Sequence, residues 1–257
     1  MSAARIRLDQ LILARGLAAS RTQAQALLLA GRVLVGDAPR SRRDRKPGDL
    51  VPPETAIAVE QPQPYVSRGG EKLSAALDAF GVDPVDRVCL DVGASTGGFT
   101  DCLLQRGARH VYALDVGRGQ LAEVLRGDRR VTSLERTHAR RLDPADGDPI
   151  RLPEVVSLAV ADVSFISLTR LLSGIAAQLA PDGDIVALVK PQFESRPEDV
   201  PHGVVRDADV RAAAVARVAA AAEAIGLTVL GRAQSPLVGP AGNVEFFLHL
   251  RRPVAPA

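Results

Sequence analysis

The 257-residue sequence has no tryptophan, two cysteines, three lysines and no long apolar run. Each scarcity excludes something. Cys89 and Cys102 form neither a disulfide framework nor metal-ligand spacing, so no metal is expected and a reducing cytoplasm is the expected home. No segment has the length needed to cross a bilayer, and the N-terminus lacks an apolar stretch of signal-peptide length. A soluble protein is expected, with no membrane partner and no feature that demands an oligomer; a monomer is the expectation. Of 32 basic side chains only Lys46, Lys72 and Lys190 are lysine. Arginine stays protonated in proteins, whereas lysine can lose its proton, so lysines kept at 72 and 190 suggest positions where arginine would fail, with chance codon usage the alternative.

Net charge is +2, but residues 1–59 alone carry about +5 by residue count. A basic end on a near-neutral body suggests an anion-binding module, with nucleic acid the usual partner. Within it, Leu8, Leu11, Ile12 and then Ala24, Leu27, Leu28 fall at helical spacing, broken near Gly16. Ser20 is placed to cap the second helix. Val33-Leu34-Val35 reads as a strand, followed by an arginine-rich loop (Arg40, Arg42, Arg43, Arg45, Lys46) and a last strand around Ile57-Ala58-Val59. The blocks Arg7-Leu8-Asp9, Arg15-Gly16-Leu17, Ser20-Arg21, Ala30-Gly31-Arg32-Val33 and Pro47-Gly48-Asp49 resemble the αL RNA-binding fold of ribosomal protein S-four. The resemblance implies that Arg7, Arg21, Arg32, Arg42, Arg43, Arg45 and Lys46, with Arg68 beyond the unit, meet RNA phosphates and shape rather than base edges.

The expected division is an RNA-binding unit at 1–60, a proline-stiffened linker at 61–66 and a larger domain at 67–257. From Ser67 onward strands and helices alternate, which predicts an α/β fold with a mostly parallel sheet covered on both faces. Strands are expected at 87–91, 111–115, 131–134, 155–161 and 185–189, with two more near Val229 and at 244–250. Helices are expected from Ser67, over 168–179 and over about 210–224.

The larger domain is organised around Asp91-Val92-Gly93-Ala94-Ser95-Thr96-Gly97-Gly98-Phe99-Thr100, a glycine-rich turn between a strand and a helix. Such a turn presents bare N–H groups and a helix N-terminus to a ligand. No Gly-Lys-Ser/Thr follows and the spacing is not G-x-G-x-x-G, so two common phosphate loops are excluded. The turn fits the one that S-adenosylmethionine methyltransferases place under the amino-acid half of their cofactor. Asp115 ends the next strand, where α/β nucleotide sites put a carboxylate on ribose hydroxyls; a helix N-cap is the alternative. Gly93, Asp115, Asp162 and Lys190 all fall at the carboxyl ends of predicted parallel strands, on one rim. For Asp162 the alternative is again a helix cap, and for Lys190 an ordinary ion pair.

Five blocks in order, Ser67-Arg68-Gly69-Gly70-Glu71-Lys72-Leu73, Leu90–Thr100, Ala161-Asp162-Val163-Ser164-Phe165-Ile166-Ser167-Leu168, Leu188-Val189-Lys190-Pro191-Gln192-Phe193-Glu194 and Gly242-Asn243-Val244-Glu245-Phe246, are similar to the TlyA-type family. Its members join the S-four fold to a Rossmann-like, FtsJ-like methyltransferase domain. The resemblance implies S-adenosyl-L-methionine as cofactor and ribose 2′-hydroxyls of cytidines in ribosomal subunits as substrate. It implies a catalytic tetrad of Lys72, Asp162, Lys190 and Glu245. Lys190 as a neutral amine would take the hydroxyl's proton, Asp162 would orient Lys190, and Glu245 would hold Lys72. Gly93, Ala94, Ser95, Gly97, Gly98 and Phe99 would contact the cofactor's amino-acid half, Asp115 and Val116 its ribose side, Leu134 and Glu135 its adenine, and Asp162 its edge. Some family members are named hemolysins, so a membrane-active protein is an alternative, as is a non-catalytic ribosome-assembly factor. Three departures stand out: Gln63-Pro64-Tyr65-Val66 where the family has Arg-x-Trp-Val, His138 where it has Asn, and Pro201-His202-Gly203 in a glycine-rich segment.

Overall fold

The computed structural model describes residues 5–37, 41–60 and 63–254. Arg40 and the linker residues Gln61 and Pro62 lie outside the described residues. The chain divides into two compact units, residues 1–63 and 64–257.

The first unit runs β1 (Ile6–Arg7), α1 (Leu8–Ala14), α2 (Arg21–Leu29), β2 (Val33–Val35), β3 (Leu50–Val51) and β4 (Ile57–Val59). Its strands form two antiparallel pairs, β1–β3 and β2–β4. The apolar positions read at helical spacing form its core, with Leu8, Ile12, Ala24 and Leu28 buried beside Val33. Ser20 caps α2 as expected, its Oγ accepting from the Gln23 N–H at 3.1 Å. The fully buried carboxylate of Asp9 ties the two helices together. It accepts from Arg7, Arg21 and Gln25 at 3.0, 3.0 and 2.9 Å. The Arg7 guanidinium above all, helped by Gln25 and Arg21 and opposed by burial, holds this carboxyl well below its ordinary range.

The second unit continues with α3 (Arg68–Phe80), β5 (Val88–Val92), α4 (Gly98–Gln105), β6 (His110–Leu114), α5 (Glu123–Arg126), β7 (Val131–Leu134), β8 (Val156–Ala161) and α6 (Leu172–Gln178). It closes with β9 (Leu179–Val189), α7 (Pro191–Glu194), α8 (Ala208–Ala224), β10 (Thr228–Gln234) and β11 (Phe246–Arg251). Its seven strands lie in the order β10-β11-β9-β8-β5-β6-β7. Only the pairings of β11, with β10 and with β9, are antiparallel. The central strands are apolar because both faces are covered. One face packs Leu73, Leu77, Cys102 and Leu103 of α3 and α4. The other packs Leu172, Ile175, Val215 and Val218 of α6 and α8. The expected 168–179 helix is broken: Leu168–Arg170 is a 3-10 turn, α6 starts at Leu172, and β9 starts already at Leu179.

The expected linker residues Pro64–Val66 pack on the second unit. The Val66 N–H donates to Asp101 at 2.8 Å, Gln105 donates to the Pro64 carbonyl at 2.9 Å, and the Tyr65 ring fills the space over Gly70 that a Cβ would need.

At the rim opposite the glycine turn, buried Asp184 of β9 collects three partners: Arg87 at 2.9 Å, His249 at 2.8 Å and Arg251 at 2.9 Å. Burial would raise its carboxyl, but hydrogen bonds from His249, Arg251 and Arg87 outweigh it and hold the group well below the usual range. A carboxylate depressed in the fold stabilises above its unfolded value and loses that contribution as pH falls. Asp184→Asn leaves Arg87 and Arg251 without their counter-charge and is expected to cost about 3 kcal/mol at pH 7. In urea unfolding followed by circular dichroism, the gap between wild type and variant should narrow as pH drops below about 4. A gap independent of pH would show that packing, not charge, holds these strands.

Candidate active site

The site lies where β5, β6, β8 and β9 end. Residue 93 must turn sharply out of β5, and glycine permits its φ of 86°. The N–H groups of Gly93 and Ala94 both donate to the Leu114 carbonyl, at 2.8 and 3.1 Å, which locks the turn to β6. Ser95, itself at φ 48°, donates its N–H to Asp115 Oδ2 at 2.8 Å, and Gly117 donates to Oδ1 at 2.7 Å. Two main-chain donors thus fix the Asp115 carboxylate at the rim.

Beneath the turn Asp91 is fully buried. Thr100 Oγ1 donates to its Oδ2 at 2.7 Å, while Oδ1 has no hydrogen-bond partner among the described residues. Burial, with smaller contributions from Asp162 and Asp115, pushes this carboxyl up to about 7, against the hydrogen bond from Thr100. The cysteines are inert by the same physics: burial raises the Cys89 thiol to about 12 and Cys102 to about 11.

Two lysine–acid pairs face the cleft. Lys190, just after β9, places Nζ 2.6 Å from Asp162 Oδ1, just after β8. That approach has ion-pair distance without hydrogen-bond alignment; the aligned partner of Lys190 is Ser164 Oγ at 2.9 Å. Lys72, from the first turns of α3, donates to Glu245 Oε2 at 2.6 Å, and both side chains are buried. Glu245 reaches the rim because β11 runs antiparallel to β9, pairing Phe246 with Val189. One reversed strand therefore brings residue 245 beside residue 190.

A cleft of about 290 Å³ is lined by Lys72, Asp162, Lys190 and Glu245 together with Gly93, Ala94, Ser95, Gly98, Phe99 and Arg68. A second, of about 590 Å³, holds Asp115, Val116, His138 and Phe165. The two share Gly93, Ser95, Asp162 and Ser164. Most of the expected site residues are thus brought together. Three are not. Gly97 lines neither cleft; at φ 95° it makes the turn into α4 and packs under Leu121 and Leu125. Leu134 packs on the core, and Glu135 Oε1 accepts from the Gly119 N–H at 2.9 Å. Lining residues not among the expected ones include Ser67, Gly69, Thr96, Ser164 and Pro240 in the first cleft, and His138 and Phe165 in the second. His138 was legible as a departure from the family, and Ser164 and Phe165 sit in a quoted block.

Phe165 is 91% exposed. Its backbone is in the left-handed region at φ 64°, a conformation that costs a bulky residue roughly 1–2 kcal/mol. It meets Phe193 with ring centroids 5.1 Å apart. Arg140, Arg170 and His138 surround this pair in an adjoining hollow.

In the first unit the arginines expected on RNA are already engaged. Arg7 and Arg21 meet Asp9, Arg32 donates to the Glu60 carbonyl, and Arg42, Arg43 and Arg45 pair with Asp44, Glu60 and Asp49. A guanidinium has five donors, so these contacts orient the side chains without exhausting them. Arg7 and Arg21 keep 40% and 48% of their side-chain surface. Lys46 is exposed.

A mostly parallel seven-stranded sheet with a glycine turn and an acid on its carboxyl rim is the architecture of S-adenosylmethionine-dependent methyltransferases. Family models agree in detail: one for FtsJ-like methyltransferases matches residues 65–252, and one for the S4 domain matches residues 6–44. The chain is 48% identical over 252 residues to the 16S/23S rRNA (cytidine-2′-O)-methyltransferase TlyA of Mycobacterium tuberculosis, covering 97% of this chain and 91% of that one. It is 40% identical over 245 residues to hemolysin A of Brachyspira hyodysenteriae, covering 95% and 99%. Among solved structures, one of a hemolysin-named protein from Streptococcus thermophilus is 40% identical with a TM-score of 0.72, covering 99% of this chain and 91% of that one. The chain belongs to the FtsJ-like methyltransferase family and carries an S4 domain at its N-terminus.

The residues present fit the family's cofactor. The main chain at Gly93 lies so close to β8 that a Cβ there would sit 2.6 Å from the Asp162 carbonyl oxygen. This keeps the turn open toward the cleft, with the Asp115 carboxylate fixed beside it.

Proposed function

We propose that this chain moves a methyl group from S-adenosylmethionine to the ribose 2′-hydroxyl of cytidine in ribosomal RNA. The observation that carries the reading is the pairing of two lysines with two acids in one cleft next to the glycine turn. A site that only held the cofactor would not need a second amine. The name of the M. tuberculosis relative supplies the cytidine and the ribosomal RNA.

Gly93, Ala94, Ser95, Gly98 and Phe99 would hold the amino-acid half of S-adenosylmethionine, and Asp115 and Val116 its ribose side. When bound, the cofactor supplies an electrophilic sulfonium methyl. A ribose hydroxyl is a poor nucleophile until its proton leaves, and Lys190 as the free amine takes that proton. Asp162 fixes Lys190. The Lys72 ammonium lies in a water-poor pocket, where a positive charge is most effective against an oxygen turning anionic. Glu245 holds Lys72 and balances its charge in the resting site. The exposed Phe165 with Phe193, ringed by Arg140 and Arg170, gives an unpaired nucleotide an aromatic face and its phosphates a positive edge. The S4 unit adds arginines pre-oriented by Asp9, Asp44, Asp49 and Glu60.

The hemolysin name of other relatives implies membrane action. Among the described residues no helix is long and apolar enough to cross a membrane. Incubation of the protein with labelled S-adenosylmethionine and purified ribosomal subunits should place label on ribosomal RNA. Cofactor binding without any transfer to RNA would favour a silent assembly factor instead.

A further inference from the structure

We propose that Ser164 is a positioning residue that aims the lone pair of Lys190 at the substrate hydroxyl. The inference rests on the reading of Lys190 as the base, and it assigns a role to a side chain outside the two lysine–acid pairs.

A free amine carries two N–H bonds and one lone pair. With one fixed acceptor it can rotate about that contact, and its lone pair sweeps through space. With one hydrogen committed to an acceptor and a carboxylate close by on another side, which repels the lone pair, the lone pair points into the remaining direction. Lys190 Nζ has both, Ser164 Oγ as acceptor at 2.9 Å and the Asp162 carboxylate at 2.6 Å. Of the two, only Ser164 meets the nitrogen with hydrogen-bond alignment. What remains open to Nζ is the cleft that Lys190 lines together with Lys72 and the glycine turn. An acid alone would favour the ammonium and leave its orientation loose; a neutral hydroxyl fixes direction without adding charge.

The hydroxyl can do this only if its loop is held still relative to Lys190, and several ties hold it. Buried Glu194, four residues after Lys190, accepts from Ser167 Oγ at 2.6 Å through Oε2 and from the Leu168 N–H at 2.8 Å through Oε1. Burial pushes the Glu194 carboxyl up, partly offset by those two bonds. Phe193 packs on Phe165 in between. The loop after β8 and the loop after β9 are thus joined at the lysine, at the aromatic pair and at the glutamate. Pre-organisation of this kind, rather than a new contact made during reaction, is what holding a base in register requires.

The test compares single-turnover methyl transfer to ribosomal RNA by wild type, Ser164→Ala, Ser164→Thr and Lys190→Ala, with S-adenosylmethionine affinity measured by calorimetry. Ser164→Ala is expected to slow the chemical step about tenfold, equivalent to about 1.4 kcal/mol, with cofactor affinity unchanged. Ser164→Thr, which keeps the hydroxyl, should recover the rate to within about twofold. A wild-type rate for Ser164→Ala, a threonine variant as slow as the alanine one, or a loss of cofactor affinity in Ser164→Ala would each overturn the assignment. Full activity of Lys190→Ala, or no transfer by wild type, would instead strike the underlying reading of the base. The two failures are therefore separable.

Discussion

Lys190→Arg is expected to reduce methyl transfer by a factor of about 10² to 10⁴, the usual range for a lost general base, while leaving cofactor binding intact. The substitution keeps the positive charge opposite Asp162 and much of the side chain's length. What it removes is the ability to exist as a neutral proton acceptor. The structure makes the test clean, because Lys190 lines the cleft at its 2.6 Å pairing with Asp162 and is not part of the glycine turn. Single-turnover transfer of labelled methyl, set beside calorimetric titration with S-adenosylmethionine, separates the two effects. An arginine variant that still transfers would mean that proximity to the sulfonium methyl suffices without a base.

Gly93→Ala is expected to weaken S-adenosylmethionine binding by more than tenfold. Two costs add at this position. The φ of 86° is strained for any side chain, and the new Cβ would stand 2.6 Å from the Asp162 carbonyl oxygen and 3.1 Å from its carbon. Both atoms are backbone of a central strand's end, so nothing flexible can give way. Left-handed strain costs about 1–2 kcal/mol, and overpacking about 1–3 kcal/mol more. The turn and the Asp162 end of β8 must part, which disturbs the cofactor bed and the partner of Lys190 together. Gly119→Ala is the control: its φ is 64°, yet nothing lies within 4 Å of the added Cβ. It should show the strain cost alone, seen as a small stability loss. Equal affinities for both variants in calorimetry would show that close approach to β8 is irrelevant to the site.

Much of the rim was legible because parallel strands advertise their ends. An apolar run that stops at Gly93, Asp115, Asp162 or Lys190 marks a carboxyl end, and such ends share one edge of the sheet. Glu245 was not legible in that way. It precedes an antiparallel strand, so only the reversal of β11 against β9 brings it to the same edge, and the resemblance alone pointed to it. Partners were invisible for a simpler reason: spacing along a chain says nothing about which acid meets which base. The Asp184 cluster draws on residues 87, 184, 249 and 251, and Lys72 finds Glu245 across 173 positions. Leu134 and Glu135 are the converse case. The strand end was located, but Leu134 faces the core and Glu135 is occupied by a neighbouring loop. The two-residue strands β1 and β3 are too short to show any alternation. The expected 168–179 helix erred because apolar spacing continues across the bend at Leu171, where a 3-10 turn gives way to α6.

In the proposed reaction the ribose oxygen is the acceptor, and nucleoside-resolved mass spectrometry addresses this directly. Ribosomal RNA methylated in vitro with isotopically labelled S-adenosylmethionine is digested to nucleosides and the label located. Label in 2′-O-methylcytidine, absent with Lys190→Arg, is the expected result. Label on a base carbon or nitrogen would contradict the account, since neither would call for an amine base held against a sugar hydroxyl.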